Sequence, residues 1–309
     1  MSESSRDAGA ASPAAHRPVL LREVLQLLSL EPGLTVVDGT VGAGGHSRRI
    51  LEKIGSNGTL IGLDRDPMML QLAGNVLNAA NCHLRQSSYS HIREVLQELN
   101  VESVDRILLD LGLSSDQLND VERGFGYDVG GPLDLRFDTT AGLPAWKWIE
   151  RADEQQLADV IHNFGEERFS GRIAAAIARR RKNKPVRTAA DLVETVFQAC
   201  PRSPRKDVRR KAVSRVFQAF RIAVNEELNH LQQALEQGIY ESLRTGGRSV
   251  VISFHSLEDR LVKTAFRDKE RWQNLTPKPI RAPSVEKRMN PRCRTALLRA
   301  AIKRTSRTT

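Results

Sequence analysis

The first residues that could do chemistry lie in a glycine-rich turn near the start of the chain. Gly42, Gly44 and Gly45 follow a short apolar run that ends at Asp38. Glycine has no Cβ, so the backbone there can adopt a positive φ and a ligand can approach the main chain closely. His46 then opens an amphipathic, helix-like segment. A glycine loop between a strand and a helix is where nucleotide-like cofactors bind in an open α/β sheet.

The spacing of these glycines departs from the dinucleotide fingerprint. From Gly42 the chain reads Gly-Ala-Gly-Gly-His-Ser, so Ser47 stands where G-x-G-x-x-G has its last glycine. This departure disfavours a nicotinamide-dependent oxidoreductase. A turn that merely connects a strand to a helix is the other interpretation of these residues.

A second acid favours the cofactor interpretation. Residues 59–63 form another apolar run, and Asp64 follows it directly. An acid at the tip of the second strand can accept hydrogen bonds from both ribose hydroxyls of a nucleoside cofactor. The alternative is that Asp64 or Asp66 caps the helix that begins at Pro67.

The elements that must position these residues alternate between strand and helix. This alternation predicts a parallel sheet, whose ligands bind at the carboxyl ends of the strands. Asp110 lies at such an end. The predicted elements are a first helix over 19–30, strands at 34–38, 59–64, 83–86 and 106–112, and helices at 46–54, 67–78 and 91–99, the last capped by Ser90.

The alternation stops between residues 119 and 209, where no comparable apolar strand occurs. Helical segments are predicted there at 153–164, 166–182 and 188–199. We therefore expect an inserted helical domain, with a role in substrate recognition, over residues 119–209. The α/β core comprises residues 16–118 and 210–309, and residues 1–15 form a disordered tail.

The α/β pattern resumes with one long helix, whose apolar stripe runs in steps of three and four from Val213 to Ile239. The pair Gly246 and Gly247 is then predicted to turn the chain into a buried strand at 249–254. That strand ends at His255, where a ligand-binding edge would lie. A last strand is predicted over 297–302.

The composition favours a polyanionic partner. The formal net charge is +10, and nucleic acid is preferred over a membrane surface because no basic amphipathic helix with aromatic anchors is present. No apolar run approaches the roughly 20 residues of a transmembrane helix. Because the N-terminal residues also lack a secretory apolar segment, a cytoplasmic location is expected. Three widely separated cysteines offer no metal-binding spacing, so no metal site is predicted.

Two basic clusters are candidates for contact with the phosphates of a nucleic acid. Solvated charged faces are the alternative for either cluster alone, but the overall positive charge favours phosphate contact. The candidate residues are Arg179, Arg180 and Arg181 in the first cluster, and Arg209, Arg210 and Arg215 within the second, which spans 202–215.

Motifs spread through the chain resemble those of the bacterial 16S ribosomal RNA (cytosine-N4)-methyltransferase family. The resemblance covers about His16 to Arg304. One departure is Lys211-Ala-Val-Ser-Arg215, where relatives often read His-Pro-Ala-Thr-Arg. The matching motifs are Asp38-Gly-Thr-Val-Gly-Ala-Gly-Gly-His-Ser47, Asp64-Arg-Asp-Pro67, Leu108-Leu-Asp-Leu-Gly112, Ser114-Ser-Asp-Gln117, Glu122-Arg-Gly-Phe125, Gly131-Pro-Leu-Asp-Leu-Arg136, Gly165-Glu-Glu-Arg-Phe169, Phe217-Gln-Ala-Phe-Arg-Ile222, Ile252-Ser-Phe-His-Ser-Leu-Glu-Asp-Arg260 and Asn290-Pro-Arg292.

This resemblance implies an α/β fold of the class I S-adenosylmethionine-dependent methyltransferases, a Rossmann-like core with an inserted helical domain. It also implies S-adenosylmethionine as the cofactor and the N4 amino group of a cytidine in 16S rRNA of the 30S subunit as the acceptor. The sequence leaves a homodimer open. By similarity, the cofactor-binding residues are Gly42, Gly44, Gly45, His46, Asp64, Tyr89, Asp110 and Gln117.

Methyl transfer from a sulfonium to an amino group is a direct displacement, so the enzyme must mainly align the reacting groups. We expect Asp110, Ser114 or His255 to orient the amino group. For His255, a hydrogen-bonded histidine at a strand end is the alternative. Two other functions remain open: methylation of DNA or another RNA by an enzyme of the same fold, and a catalytically silent ribosome-assembly factor.

Overall fold

The computed structural model describes residues 18–127, 131–201 and 207–305. Seven strands form one sheet in the order β3-β2-β1-β4-β5-β7-β6. The strands are β1 Thr35–Asp38, β2 Thr59–Asp64, β3 Cys82–Gln86, β4 Val104–Asp110, β5 Leu243–Ser253, β6 Trp272–Asn274 and β7 Leu297–Lys303. The predicted tail at 1–15 and part of the second basic cluster, 202–206, lie outside the described residues.

The first five strands pair in parallel, whereas β7 runs antiparallel to β5 and β6 antiparallel to β7. The chain leaves β1 toward β2 and β3, and later returns to the other side of β1 as β4. The carboxyl ends of β1 and β4 therefore form a topological switch point, where open α/β sheets bind ligands. This arrangement confirms the predicted Rossmann-like α/β core.

Both faces of the sheet are covered, as its nearly continuous apolar strands require. Val37, Ile61 and Leu109 pack into one hydrophobic cluster, and their neighbours Val36 and Leu60 pack into a second on the other face. The helices that cover the sheet include α1 Leu21–Leu28, α2 Gly45–Ile54, α3 Pro67–Val76, α4 Ile92–Glu98 and α5 Ser115–Asn119.

Helix α4 begins differently from the prediction. Ser90 does not cap it, because Ser90 lies inside a 3₁₀ turn, Tyr89–His91, that precedes α4. The cap of that turn is Ser88, whose hydroxyl accepts from the Ser90 N–H. The prediction was wrong by one short turn, since a serine in either position satisfies the capping pattern.

The segment after α5 is helical, as predicted. Its helices are α6 Ala145–Arg151, α7 Glu154–Gly165, α8 Ser170–Asn183 and α9 Ala189–Ala199, followed by α10 Asp207–Asn225. The sequence prediction missed α6. Capping boxes at Asp153 and Thr188 set the starts of α7 and α9.

The helices α7, α8 and α9 share one hydrophobic cluster with the first half of α10. Val213, Val216 and Phe220 of α10 are buried in it. The boundary between insert and core at residues 209 and 210 therefore stays a prediction, because α10 begins in the helical unit and leads back to the sheet.

The predicted single helix from 213 to 239 is wrong. Helix α10 ends at Asn225, and Glu226 adopts a φ of 50°. The Asn225 amide donates to the Leu135 carbonyl, and its oxygen accepts from the Phe137 N–H. A tertiary contact thus ends the helix, and hydrophobic periodicity cannot report it. The chain continues as α11 Glu227–Gln233, a π-helical turn Ala234–Gly238 and α12 Ile239–Ser242.

The predicted turn at Gly246 and Gly247 lies inside β5, which already begins at Leu243. The register of β5 against β4 shifts between Leu243 and Arg248, so the glycines form an irregularity within the strand. The remaining helices are α13 Ser256–Ala265 and α14 Ser284–Met289. Among the described residues, every helix is too short or too polar to cross a membrane.

Candidate functional site

A cleft with an open volume of about 630 Å³ lies at the carboxyl ends of β1, β2 and β4. The segment between α5 and α6 and the starts of α11 and α13 also contribute to it. Six of the residues predicted as cofactor-binding or catalytic line this cleft: Gly42, Asp64, Tyr89, Asp110, Ser114 and Gln117. The other four, Gly44, Gly45, His46 and His255, are not among its lining residues.

The glycine-rich loop is held close to the sheet. A Cβ on Gly39 would come within 2.5 Å of Leu109 Cδ2 and 2.9 Å of Tyr89 Cβ, so the loop packs there without room for a side chain. Gly44, with a φ of 85°, precedes the first turn of α2. The Thr40 hydroxyl accepts from the Asp110 N–H at 2.6 Å, which joins the loop to the end of β4.

Asp38 shapes this loop from within the protein. Its carboxylate accepts from the Ser47 hydroxyl at 2.7 Å and from the Thr40 N–H at 3.2 Å. It is 1% exposed, and burial raises the pKa of Asp38. The acid that ends the first strand therefore positions the turn and does not itself face the cleft.

Asp64 faces the cleft, whereas Asp66 takes the capping role. Asp64 accepts from the Gly42 N–H and the Asp66 N–H, both at 2.9 Å. Burial raises the pKa of Asp64 to about 6. Asp66 accepts from the Met68 N–H at 3.0 Å and caps α3. Capping is therefore the role of Asp66, and cofactor binding by Asp64 stays a prediction.

Asp66 also joins the core to the insert. It is fully buried and accepts from Gln117 Nε2 and Arg123 Nη2, each at 2.8 Å. The same Arg123 nitrogen donates to the carbonyls of Arg136 and Phe137. We refer to Asp66 and Arg123 as the buried clamp. The sequence analysis noticed Arg123 only as part of a motif and assigned it no role.

Ser114 and Gln117 form the capping box of α5. Gln117 Oε1 accepts from the Ser114 N–H at 3.0 Å, and the Ser114 hydroxyl accepts from the Gln117 N–H at 2.9 Å. The Gln117 Nε2 also donates to Asp66, so both the oxygen and the nitrogen of its side-chain amide are hydrogen-bonded within the protein. Both residues border the cleft from a rigid helix start.

Asp110 and His46 carry unpaired polar atoms beside the cleft. His46 Nε2 lies 3.4 Å from Asp110 Oδ2, and the His46 side chain is 7% exposed. Among the described residues, neither ring nitrogen of His46 nor Asp110 Oδ1 has a hydrogen-bond partner. Buried polar groups are nearly always paired in native proteins. These atoms therefore fit a ligand that brings its own polar groups, such as an ammonium.

Apolar surface in the same cleft fits a planar ring. Tyr89, Met69 and Phe137 line it, and only Tyr89 was singled out as a cofactor residue from the sequence. Burial, followed by the carboxylates of Glu227 and Glu258, raises the pKa of Tyr89. The phenol thus stays protonated, and its ring offers an uncharged face.

His255 caps α13 at the end of β5. Its Nδ1 accepts from the Glu258 N–H at 3.5 Å, and its Nε2 lies 3.1 Å from Glu258 Oε1. The structure thus places His255 behind Glu258, which itself lines the cleft. Neither Glu227 nor Glu258 was predicted as a site residue, because helix periodicity treats both as ordinary polar positions; only Glu258 lies in a matching motif, the one from Ile252 to Arg260.

Glu227, His255 and Glu258 are close enough to hold a metal ion, since their ligand atoms lie within 4.8 Å of one another. Both Glu227 oxygens, however, accept from Arg221 at 2.8 Å. The guanidinium thereby supplies the positive charge that a cation would bring. The prediction of no metal site stays a prediction.

In the first basic cluster the three arginines differ in their contacts. Arg180 donates to Asp191 and Glu194, both at 2.7 Å. Arg181 donates to the backbone carbonyls of Ile149, at 2.6 Å, and Ala152. Arg179 is exposed. Arg180 and Arg181 therefore stabilise the insert, and Arg179 remains accessible to an external phosphate.

In the second basic cluster, too, some arginines contact the protein and others are exposed. The guanidinium carbon of Arg209 lies 5.9 Å from the centre of the Phe197 ring. Arg215 donates to Glu167 at 3.2 Å while 49% of its side chain stays exposed. Arg210 is exposed. All three lie near the start of α10, within the helical unit.

The comparisons with known proteins agree with this geometry. The sequence matches the MraW methylase family over residues 13–304. "Ribosomal RNA small subunit methyltransferase H" of Nitrosospira multiformis is 44% identical, over 94% of this chain and 98% of that protein. The protein of the same name from Symbiobacterium thermophilum is 41% identical, over 93% of this chain and 96% of that protein.

A solved structure, an rRNA methylase from Streptococcus thermophilus, aligns over 95% of this chain and 100% of its own, with a TM-score of 0.43 and 10% identity. The family match, by contrast, spans nearly the whole sequence and includes the glycine loop, the acids after β2 and β4, and the motif after β5. The chain belongs to the MraW methylase family.

Proposed function

We propose that this protein transfers a methyl group from S-adenosylmethionine to the N4 amino group of a cytidine in 16S rRNA of the 30S subunit. Family membership supports the less specific part of this proposal, that the protein is an S-adenosylmethionine-dependent methyltransferase of small-subunit rRNA. The observation that carries the cofactor site is the unpaired, buried Asp110 oxygen beside Asp64 at the switch point of the sheet. The choice of cytidine N4 rests on the motif resemblance.

The residues present fit S-adenosylmethionine. Asp64 would accept from the ribose hydroxyls, and Asp110 from the ammonium of the methionine part. Tyr89 and Met69 would contact the adenine, while the loop at Gly42 passes close to the ligand. When bound, the cofactor supplies an electrophilic methyl group. Gly44, Gly45 and His46 would act through the loop and the start of α2.

The chain itself has to hold the acceptor amino group in line with that methyl. Holding two reactants in attack geometry can supply about 7–11 kcal/mol of the barrier reduction. Asp110 and Ser114 border the cleft where the amino group would lie, and His255 would act by holding Glu258. A cytidine paired in a duplex would first have to leave its partner, because its amino group is engaged in pairing.

The insert would bring the ribosomal RNA to the cleft. Arg179, Arg210 and Arg215 present exposed positive charge on the helical unit. Arginine contacts to phosphates position a nucleic acid without reading its sequence. Arg180, Arg181 and Arg209, which make contacts inside the protein, would support this surface.

The test is transfer of tritiated methyl from S-adenosylmethionine to unmethylated 30S subunits, followed by nuclease digestion and identification of the labelled nucleoside. We expect labelled N4-methylcytidine from the wild type, and loss of label with Asp64→Ala and Asp110→Ala. Glu98→Ala, which changes an exposed acid on α4, is the control and should keep full activity. Label in another nucleoside would contradict the N4 assignment.

The same assay separates the alternatives. Label in DNA or in another RNA, with none in 30S subunits, would favour a different acceptor for the same fold. Retained binding to 30S subunits without transfer to any acceptor would favour a catalytically silent assembly factor. S-adenosylmethionine binding measured by calorimetry should accompany activity and be lost in the same two variants.

A further inference from the structure

Two glutamates line the cleft without any part in the cofactor site described above. Glu227 begins α11 and Glu258 lies in the first turn of α13. Both are buried, 7% and 2% exposed. We call Glu227 and Glu258, with the residues that hold them, Arg221 and His255, the glutamate wall.

Glu227 is charge-balanced by Arg221. It follows Glu226, whose left-handed φ of 50° breaks the helix and turns the next residue toward the cleft. Arg221 Nε and Nη2 donate to its two oxygens, both at 2.8 Å. This bidentate pair leaves the Glu227 carboxylate oriented and neutralised.

Glu258 has no such cation. Its Oε2 accepts from the Phe254 N–H at 2.8 Å, and its Oε1 lies 3.1 Å from His255 Nε2. His255 Nε2 itself is buried and has no hydrogen-bond partner in the described structure. The glutamate wall thus holds two carboxylates and one guanidinium, so the Glu258 carboxylate has no guanidinium partner within it.

An excess buried charge is costly unless a binding partner compensates it. Glu258 borders the cleft, so that partner can come from a ligand. The amino group of cytosine fits, because it donates hydrogen bonds and becomes positively charged as it is methylated. Under the proposed function Asp110 would accept from the ammonium of the cofactor, whereas no cofactor group is assigned to Glu258, which can therefore accept from the acceptor.

We propose that Glu258 accepts a hydrogen bond from the amino group of the acceptor base and takes one of its protons during methyl transfer. This inference rests on the proposed function. The lone pair of N4 forms the new N–C bond, and the C–S bond breaks with its electron pair remaining on sulfur. As positive charge develops on N4, one of its protons moves to the Glu258 carboxylate. That proton passes to solvent when the product leaves.

His255 is a positioning residue in this scheme. It holds Glu258 through the capping box of α13 and does not touch the base. Other charged or titratable groups also line the cleft or pack against Glu258. They are Asp64, Arg65, Tyr89, Asp110, Arg221, Glu227 and His255.

The test uses Glu258→Gln in the full-length protein with unmethylated 30S subunits. The amide keeps an oxygen for the Phe254 N–H but cannot take a proton at neutral pH. We expect S-adenosylmethionine affinity and 30S binding within about twofold of wild type. The single-turnover methylation rate should fall by about 10²–10⁴-fold, the usual contribution of a general base.

Glu286→Gln is the matched control, since Glu286 is a partly exposed glutamate that accepts from the Leu20 N–H away from the cleft. It should keep the wild-type rate. A single-turnover rate of Glu258→Gln within threefold of wild type overturns the inference. Loss of S-adenosylmethionine binding in a folded Glu258→Gln protein overturns it too, since the residue would then serve the cofactor.

If the Glu258→Gln variant does not fold, the Glu258→Asp variant alone tests the inference. Its carboxylate is retained but withdrawn by one methylene, so a tenfold or larger loss of rate at unchanged cofactor affinity supports the inference. A rate within threefold overturns it. Wild-type protein that labels no cytidine would contradict the proposed function, whereas equal labelling by wild type and Glu258→Gln would contradict only this inference.

Discussion

The two parts of the cleft are built in different ways. The part that we propose binds the cofactor contains Asp64 and Asp110, and we call it the cofactor part. It consists of loops that directly follow β1, β2 and β4, and its side chains form hydrogen bonds with neighbouring backbone, as Asp64 does with the Gly42 N–H. The glutamate wall is assembled from α10, which packs in the insert, and from α11 and α13, which pack against the sheet. Backbone-defined geometry suits a ligand shared by many enzymes, whereas a wall that depends on the insert suits a specific acceptor.

The buried clamp links these two parts. Asp66 lies at the end of the β2 loop, and Arg123 holds it to the segment that carries Phe137 into the cleft. Asn225 ties the same segment to the end of α10 by accepting from the Phe137 N–H. A substitution in the buried clamp should therefore disturb the structure of both the cofactor part and the glutamate wall. A substitution within one of these parts should affect that part alone.

The largest effect is expected from Arg123→Met. It would leave Asp66, which is fully buried, without its cation, and removing one partner of a buried ion pair costs about 3–5 kcal/mol of stability. Urea unfolding monitored by circular dichroism measures this loss. Arg48→Met, which removes a half-exposed partner of Glu52, should cost less than about 1 kcal/mol.

A loss below about 1 kcal/mol for Arg123→Met would contradict the role of the buried clamp. It would show that the insert and the core are joined mainly by the hydrophobic cluster around α10. The cofactor part would then be independent of the glutamate wall.

A smaller and more local effect is expected from Asp64→Ala. Each hydrogen bond to a charged group contributes about 1.5–3 kcal/mol, so S-adenosylmethionine affinity should fall by about 10- to 150-fold. Calorimetric titration gives the dissociation constant. The stability of the fold should change little, because the loss of two hydrogen bonds from backbone N–H groups is offset by removal of the buried carboxylate, whose pKa burial raises to about 6. Equal losses of affinity and stability would contradict the separation of the two parts.

The ionisation of Asp64 predicts a pH dependence for cofactor binding. Burial raises the pKa of Asp64 to about 6 in the free protein. Ribose hydroxyls donate to the ionised carboxylate, so affinity should be full above pH 6 and fall as pH decreases through 6, by up to about tenfold per pH unit. Asp64→Asn, which cannot ionise, should show a flatter profile between pH 5 and 7. An unchanged profile in that variant would assign the dependence to another group.

The cofactor part could be predicted from the sequence because its signals are local. A glycine loop after an apolar run and an acid after the next one specify positions on parallel strands, and the sheet brings them together. Asp64 and Asp110 were placed correctly in the cleft for this reason. Ser88 is a cap where Ser90 was predicted to be one. Such local signals therefore place the start of a helix only to within about one turn.

The glutamate wall could not be predicted because its geometry depends on contacts between distant segments. The apolar stripe from Val213 to Ile239 is real, yet Asn225 ends the helix by bonding to the insert. Glu227 faces the cleft only because of that break. Likewise, the charge of Arg181 is visible in the sequence, but its bonds to the carbonyls of Ile149 and Ala152 are not.

The smallest effects are expected on the RNA-contacting surface of the insert. Arg179→Ala and Arg210→Ala should each weaken 30S or rRNA binding modestly, and each should reduce the slope of log affinity against log salt by about one. Both side chains are exposed, so stability should not change. Filter binding over a range of salt concentrations measures the slope.

Arg181→Ala sharpens this contrast between binding and folding. It removes donors to the carbonyls at the end of α6, so it should lower the unfolding temperature while leaving the salt slope of binding unchanged. A reduced salt slope for Arg181→Ala, with none for Arg179→Ala, would mean that the RNA meets the side of α8 facing α6.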